Sequence, residues 1–120
     1  MTTRPDQTVA AYIRAINDHD DAAFIALFAD GAVVNDVGRE FRGRTAIQGW
    51  SDREIFDVQV TLEVIDIAEQ DGETVVTAGV DGTFDRTGLP DPLILEHHIR
   101  VEGDRIVGVT CRLAGERPGT

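Results

Sequence analysis

The stretch that decides the fold is Phe24–Trp50, FIALFADGAVVNDVGREFRGRTAIQGW. It predicts the end of one helix, a strand, a tight turn and another helix. Phe24, Leu27 and Phe28 give the first helix an inner face. Asp30-Gly31 reads as its stop, because glycine accepts a left-handed C-cap. Ala32–Asp36 is then a short strand, Gly38–Arg42 turns the chain, and Thr45 is the expected N-cap of a helix with Ile47 and Trp50 inside. Asp36 stands out as a lone acid on a strand expected to be dry. A buried acid is costly unless it is paired or used, which makes Asp36 the first candidate for chemistry.

N-terminal to this stretch, Pro5–Asn17 predicts a helix, with Pro5 in its first turn and Thr3 or Arg4 at the cap. Val9, Tyr12, Ile13 and Ile16 fall at i, i+3, i+4 and i+7, one buried stripe. The next helix begins after Asp20 or Asp21, both good N-caps. C-terminal to Trp50 the period changes to two. Val58, Val60, Leu62 and Val64 alternate with polar residues, and the phase shift at Ile65 and Ile67 predicts a bulge. Asp71-Gly72 and Gly103-Asp104 are hairpin turns. Val76, Ala78, Val80 and Phe84 continue the apolar face, Asp85–Pro92 is a loop, and Leu93–Glu102 and Arg105–Leu113 are the last strands. Helices first and antiparallel strands after them give an α+β fold. A long, bent sheet curled over three helices encloses an apolar pocket at its open end, the default place for a ligand.

The chain is 120 residues long, the size of one domain, with 115–120 (GERPGT) expected to fray. Its 42% hydrophobic content and mean hydropathy of −0.14 predict an ordinary soluble globule. No apolar run approaches the length needed to span a bilayer, and MTTRPDQ has no apolar core of a secretory signal. The expected compartment, by default, is the cytoplasm. All eleven cations are arginine, set against 22 acids, for a net charge of −11. Such a field repels nucleic acid and anionic membranes. Neutral small molecules, or copies of the chain, are the expected partners. One cysteine, Cys111, excludes an internal disulfide and a cysteine-based zinc site. No metal is expected: His97 and His98, adjacent on a strand, point to opposite faces, and His19 reads as a solvated loop residue.

The strand phases expose further polar residues on apolar faces. Leu93, Leu95, His97, Ile99 and Val101 form the inner face of one strand, so His97 is buried and His98 is not. Val107, Val109, Cys111 and Leu113 are expected to face inward on the next. Tyr12 lies on the buried helix stripe, where its hydroxyl needs a partner. Trp50 reads as pocket wall with an indole N–H to offer, and Cys111 as a small apolar filler rather than a nucleophile. Each residue alone also fits a satisfied core position. Together, Tyr12, Asp36 and His97 bring three inward polar groups from distant parts of the chain to one small cone.

The helix–helix–strand order, the segments FADGAVVND and GRTAIQGW, and the hairpin HHIRVEGDRIVGV resemble the nuclear transport factor 2-like superfamily, closest to its SnoaL-like and ketosteroid isomerase-like branch. The resemblance runs from about Thr8 to Leu113. It implies a cone-shaped fold and dimerisation through the outer sheet face, around Glu96, His98 and Arg100. Function varies widely in that superfamily, from isomerases and cyclases to non-enzymatic domains. By position, the segment Ala10–Asp36 places Tyr12 where ketosteroid isomerases keep an oxyanion-donating tyrosine and Asp36 where they keep the proton-shuttling aspartate. His97 stands where they have a protonated aspartate as second donor. Phe28 and Ser51 replace their supporting tyrosines. The expectation is acid–base chemistry without a cofactor, on a mainly apolar ligand with one or two oxygens. Trp50, Phe28, Phe84, Ile99, Val109 and Cys111 are its expected contacts. The alternative is a binding or scaffolding domain with no chemistry.

Overall fold

The computed structural model describes residues 5–114. The Thr3 or Arg4 cap and the 115–120 tail lie outside them. Helix α1, Pro5–Asn17, buries Val9, Tyr12 and Ile16 as its periodicity requires. Helix α2, Asp21–Ala26, is capped by Asp20, whose carboxylate accepts from the Ala23 N–H at 3.0 Å. It stops at Leu27, well before Asp30-Gly31. The reason is strand pairing: Phe28 opens β1, Phe28–Asp36, and lies opposite Ile106 of the last strand. Gly31 therefore sits inside a strand, in the irregular stretch between Phe28 and Val33.

Strand β2, Arg39–Arg42, pairs back on β1 across a Val37-Gly38 turn. Helix α3, Arg44–Ser51, is capped by Gly43 at φ 88°, so Thr45 lies in its first turn instead. A π-helical turn, Asp52–Phe56, extends it. Strand β3 spans Thr61–Gln70, β4 Glu73–Asp81, β5 Ile94–Glu102 and β6 Arg105–Leu113. Val58 and Val60 precede β3. The expected bulge is present between Val64 and Asp66.

The six strands run β2-β1-β6-β5-β4-β3, every pair antiparallel except β1–β6, which is parallel. The three helices pack on the inner face, α1 over β3, β4 and β5, and α3 over β1 and β2. The result is the expected α+β cone. Two inward assignments change. A bulge between Arg100 and Val101 makes Ile106, not Val107, the buried residue at the start of β6, ahead of Val109 and Cys111. Beyond Leu62 every β3 residue is exposed, Val64 included, because β3 is the free edge of the sheet. Among the described residues, no helix is long and apolar enough to cross a membrane.

Candidate active site

Asp36 on β1 lies opposite Cys111 on β6, and Cys111 lies opposite His97 on β5. Paired residues in a sheet point to the same face, so the three side chains form one row on the inner side. Neighbouring strands lie about 4.8 Å apart, which puts Asp36 and His97 roughly 10 Å apart across the cysteine. Tyr12 comes down on this row from α1, and Trp50 from α3. Tyr12, Asp36, Trp50, Glu54, His97 and Cys111 all line one inner chamber of about 90 Å³. An open outer chamber of about 420 Å³ adjoins it. Asp36 and Glu54 belong to both linings and stand at the neck. The outer walls are apolar, with Val58, Val80, Leu89, Leu93 and Phe84, and the rim carries Arg39, Arg53 and Asp85.

The Asp36 carboxylate is paired. Its Oδ2 accepts from Arg39 at 2.6 Å and from the Trp50 indole N–H at 3.0 Å. The Arg39 guanidinium also donates to both Glu54 oxygens, at 2.8 and 2.6 Å. That fork raises the guanidinium pKa further, through the Glu54 hydrogen bond first. Both donors to Asp36 converge on one oxygen, and Oδ1 stays free of them. Sequence reading missed Arg39 and Glu54. Arg39 reaches Asp36 only through the β1–β2 register, in which the two are partners. Glu54 is aimed by the π-helical turn, a feature that often marks functional sites. The one usable signal was the short DVGR spacing, a charge pair across a two-residue turn.

The Tyr12 hydroxyl and His97 Nδ1 lie 3.1 Å apart, and Cys111 Sγ is 3.6 Å from the same nitrogen. His97 Nε2 is buried without a partner among the described residues. Burial, helped by His98, pushes the His97 pKa down to about 4. Burial, then Cys111 and Asp36, holds the Tyr12 phenol well above its usual value. Burial and Asp36 likewise push the Cys111 thiol up. At neutral pH all three are uncharged, and Asp36, paired with Arg39, faces them across the chamber.

Of the expected ligand contacts, Trp50 and Cys111 line the inner chamber and Phe84 the outer one. Phe28, Ile99 and Val109 are fully packed core residues that line neither. Ser51 is buried too, its hydroxyl spent on the Gln48 carbonyl at 3.1 Å. His19 is exposed, but its Nε2 lies 3.2 Å from the Val60 carbonyl, which ties it to the start of β3.

Comparison with known proteins supplies the family. A Sinorhizobium meliloti protein provisionally assigned as a polyketide cyclase has a similar structure, with a TM-score of 0.78 and 26% identity over 91% of this chain and 95% of that one. A Δ5-3-ketosteroid isomerase from Mycobacterium sp. matches with a TM-score of 0.71 and 17% identity, covering 89% and 90%. A computationally designed 17-OHP binder matches with a TM-score of 0.71 and 19% identity, covering 88% and 87%. No curated protein matches the sequence. The SnoaL-like domain pattern matches residues 9–109, so the chain belongs to the SnoaL-like domain family and has its ketosteroid isomerase-like fold.

Proposed function

We propose that the protein is a cofactor-independent acid–base enzyme acting on a small, mainly apolar carbonyl compound, an isomerase or a cyclase. The observation that carries this reading is that Tyr12, Asp36 and His97 line one chamber of about 90 Å³. That space admits a carbonyl and the carbons beside it, and the apolar outer chamber accommodates the rest of the skeleton. Asp36 Oδ1 takes a proton from the carbon next to the carbonyl. Arg39 and Trp50 hold Oδ2 and so fix the carboxylate's orientation. The Tyr12–His97 pair supplies the hydrogen bond to the oxygen on which negative charge develops. Asp36 then returns the proton to another carbon in isomerisation; in cyclisation the carbanion attacks a second carbonyl carbon, and the alkoxide formed takes the proton back from Asp36. The family, with a cyclase and an isomerase among its structural neighbours, supports this class of chemistry.

A panel of enolisable ketones tests the reading. Asp36→Asn keeps the size of the side chain and removes the base. Turnover is expected to fall at least about a hundredfold. Equal turnover by both proteins would take Asp36 out of the mechanism. The engagement of Asp36 by Arg39 favours a second reading, a binding domain that holds a neutral apolar ligand without turning it over. In that case wild type and Asp36→Asn bind such ketones and neither converts them. The partners proposed are a small apolar molecule with one or two oxygens and a second copy of the chain against the outer sheet face.

A further inference from the structure

We propose that the donor offered to a ligand oxygen in the inner chamber is the Nε2–H of His97, and that Tyr12 is a positioning residue that fixes this tautomer through Nδ1. The inference takes its ligand class, a carbonyl or enolate oxygen, from the acid–base reading above. Its own basis is a count of hydrogens. The neutral imidazole carries one N–H, and the neutral phenol one O–H. Suppose the ring hydrogen were on Nδ1. It would point at the Tyr12 oxygen, 3.1 Å away, or at Cys111 Sγ, 3.6 Å away. The Tyr12 O–H would then have no acceptor in reach among the described residues, and the buried Nε2 lone pair would also be unpaired. Two buried polar functions would be orphaned. With the ring hydrogen on Nε2, the Tyr12 O–H donates to Nδ1 and only Nε2–H is left over. A buried unpaired group is costly, so the arrangement with one orphan wins over the arrangement with two.

That remaining orphan is the informative atom. His97 lines the inner chamber, and Tyr12 and Cys111, which cover Nδ1, line it beside the ring. Nε2–H is thus a buried donor that lacks an acceptor among the described residues, on a ring that lines a cavity able to receive one. An acceptor oxygen satisfies it; an ammonium or another pure donor does not. The burial that keeps the ring neutral, with a pKa near 4, keeps the donor single over the whole physiological range. Tyr12 then acts at one remove, through the imidazole.

Imidazole ¹⁵N spectra of the full chain without ligand test the tautomer. The wild type is expected to show a protonated Nε2 and a bare Nδ1, and Tyr12→Phe a mixture of tautomers. A wild-type ring protonated mainly at Nδ1 would overturn the proposal. Cyclohex-2-enone serves as the probe for the donor. It is expected to move the Nε2–H resonance downfield and to lower its own carbonyl stretching frequency. His97→Gln places an amide N–H near the Nε2 position and should bind the enone within about threefold of wild type. His97→Asn reaches only the Nδ1 position and should bind it about tenfold more weakly. An Nε2–H that no concentration of enone moves, or equal affinity of His97→Asn and wild type, also overturns it. The tautomer is read without turnover, so undiminished turnover by Asp36→Asn would retire the acid–base reading and leave this assignment standing.

Discussion

At the scale of single residues, the row Asp36–Cys111–His97 makes its smallest member decisive. Cys111 separates the acid from the imidazole and leaves the space between them open. Cys111→Leu is expected to fill that space. Enone binding, followed by calorimetry, should disappear, at an overpacking cost of about 1–3 kcal/mol; Cys111→Ala should bind within about twofold of wild type. His97 carries a second expectation. The unfolded chain protonates this ring near 6.5 and the folded chain only near 4. Its contribution to stability is therefore full above about pH 6.5 and falls as the pH drops toward 4, by roughly 3 kcal/mol. Urea midpoints measured from pH 7.5 to 5 should fall more steeply for wild type than for His97→Gln, whose carboxylates titrate in the same way. The inward row was legible in the sequence because strand phase alone fixes which face a side chain takes. The clamp on Asp36 was not, because it depends on which residue of β2 lies opposite and on a π-helical turn that no periodicity announces.

At the scale of elements, the misread boundaries share a cause: a distant strand supplies what a local cap was expected to supply. Helix α2 ends without a glycine because Arg105 from β6 donates to the Ala26 carbonyl at 2.6 Å and the Ile106 N–H bonds the Leu27 carbonyl at 2.8 Å. Helix α1 is docked in the same manner. The Asn17 amide pairs with both backbone groups of Leu62, at 3.1 and 2.6 Å, and ties the helix end to the start of β3. Asn17→Ala should cost about 1–2 kcal/mol through the two lost bonds, measured by denaturant unfolding; a change within 0.5 kcal/mol would mean that water replaces the amide. The β1–β2 turn presents the opposite situation. Val37 holds φ at 50°, with Gly38 beside it at 91°, a turn that favours asparagine and glycine and strains a β-branched residue. Yet Val37 is 52% exposed and lines the outer chamber next to Asp36. Val37→Asn should relieve about 1 kcal/mol of strain and raise Tm by a few degrees, while weakening uptake of apolar ketones. A lower Tm in Val37→Asn would show that the valine is not strained there.

At the scale of the whole molecule, composition and period were enough for the architecture, because three amphipathic helices have only one face of a bent sheet to cover. The chambers were not legible to the same degree, since their volume depends on how Val60, Val80 and Leu95 pack between the two linings. Charge governs what the finished surface can meet. The outer sheet face is tied up in pairs of its own: His98 with Glu96 at 3.1 Å and Glu73 at 3.6 Å, and Arg100 with Glu73 at 3.8 Å. A second copy therefore finds few unpaired cations there, and each copy carries −11. Two such chains repel at low salt. If they associate through this face, contacts other than charge hold them, and screening helps: the Debye length shortens to about 8 Å at 0.15 M and about 3 Å at 1 M. Light scattering should then find the 13.1 kDa chain shifting toward twice that mass as salt rises, the reverse of an interface built on ion pairs. Arg100→Glu should abolish the shift by removing the cation that pairs with Glu73 on this face. A constant monomer mass at every salt concentration removes the dimer, and a mass that falls with salt moves the contact to some other, charge-complementary surface.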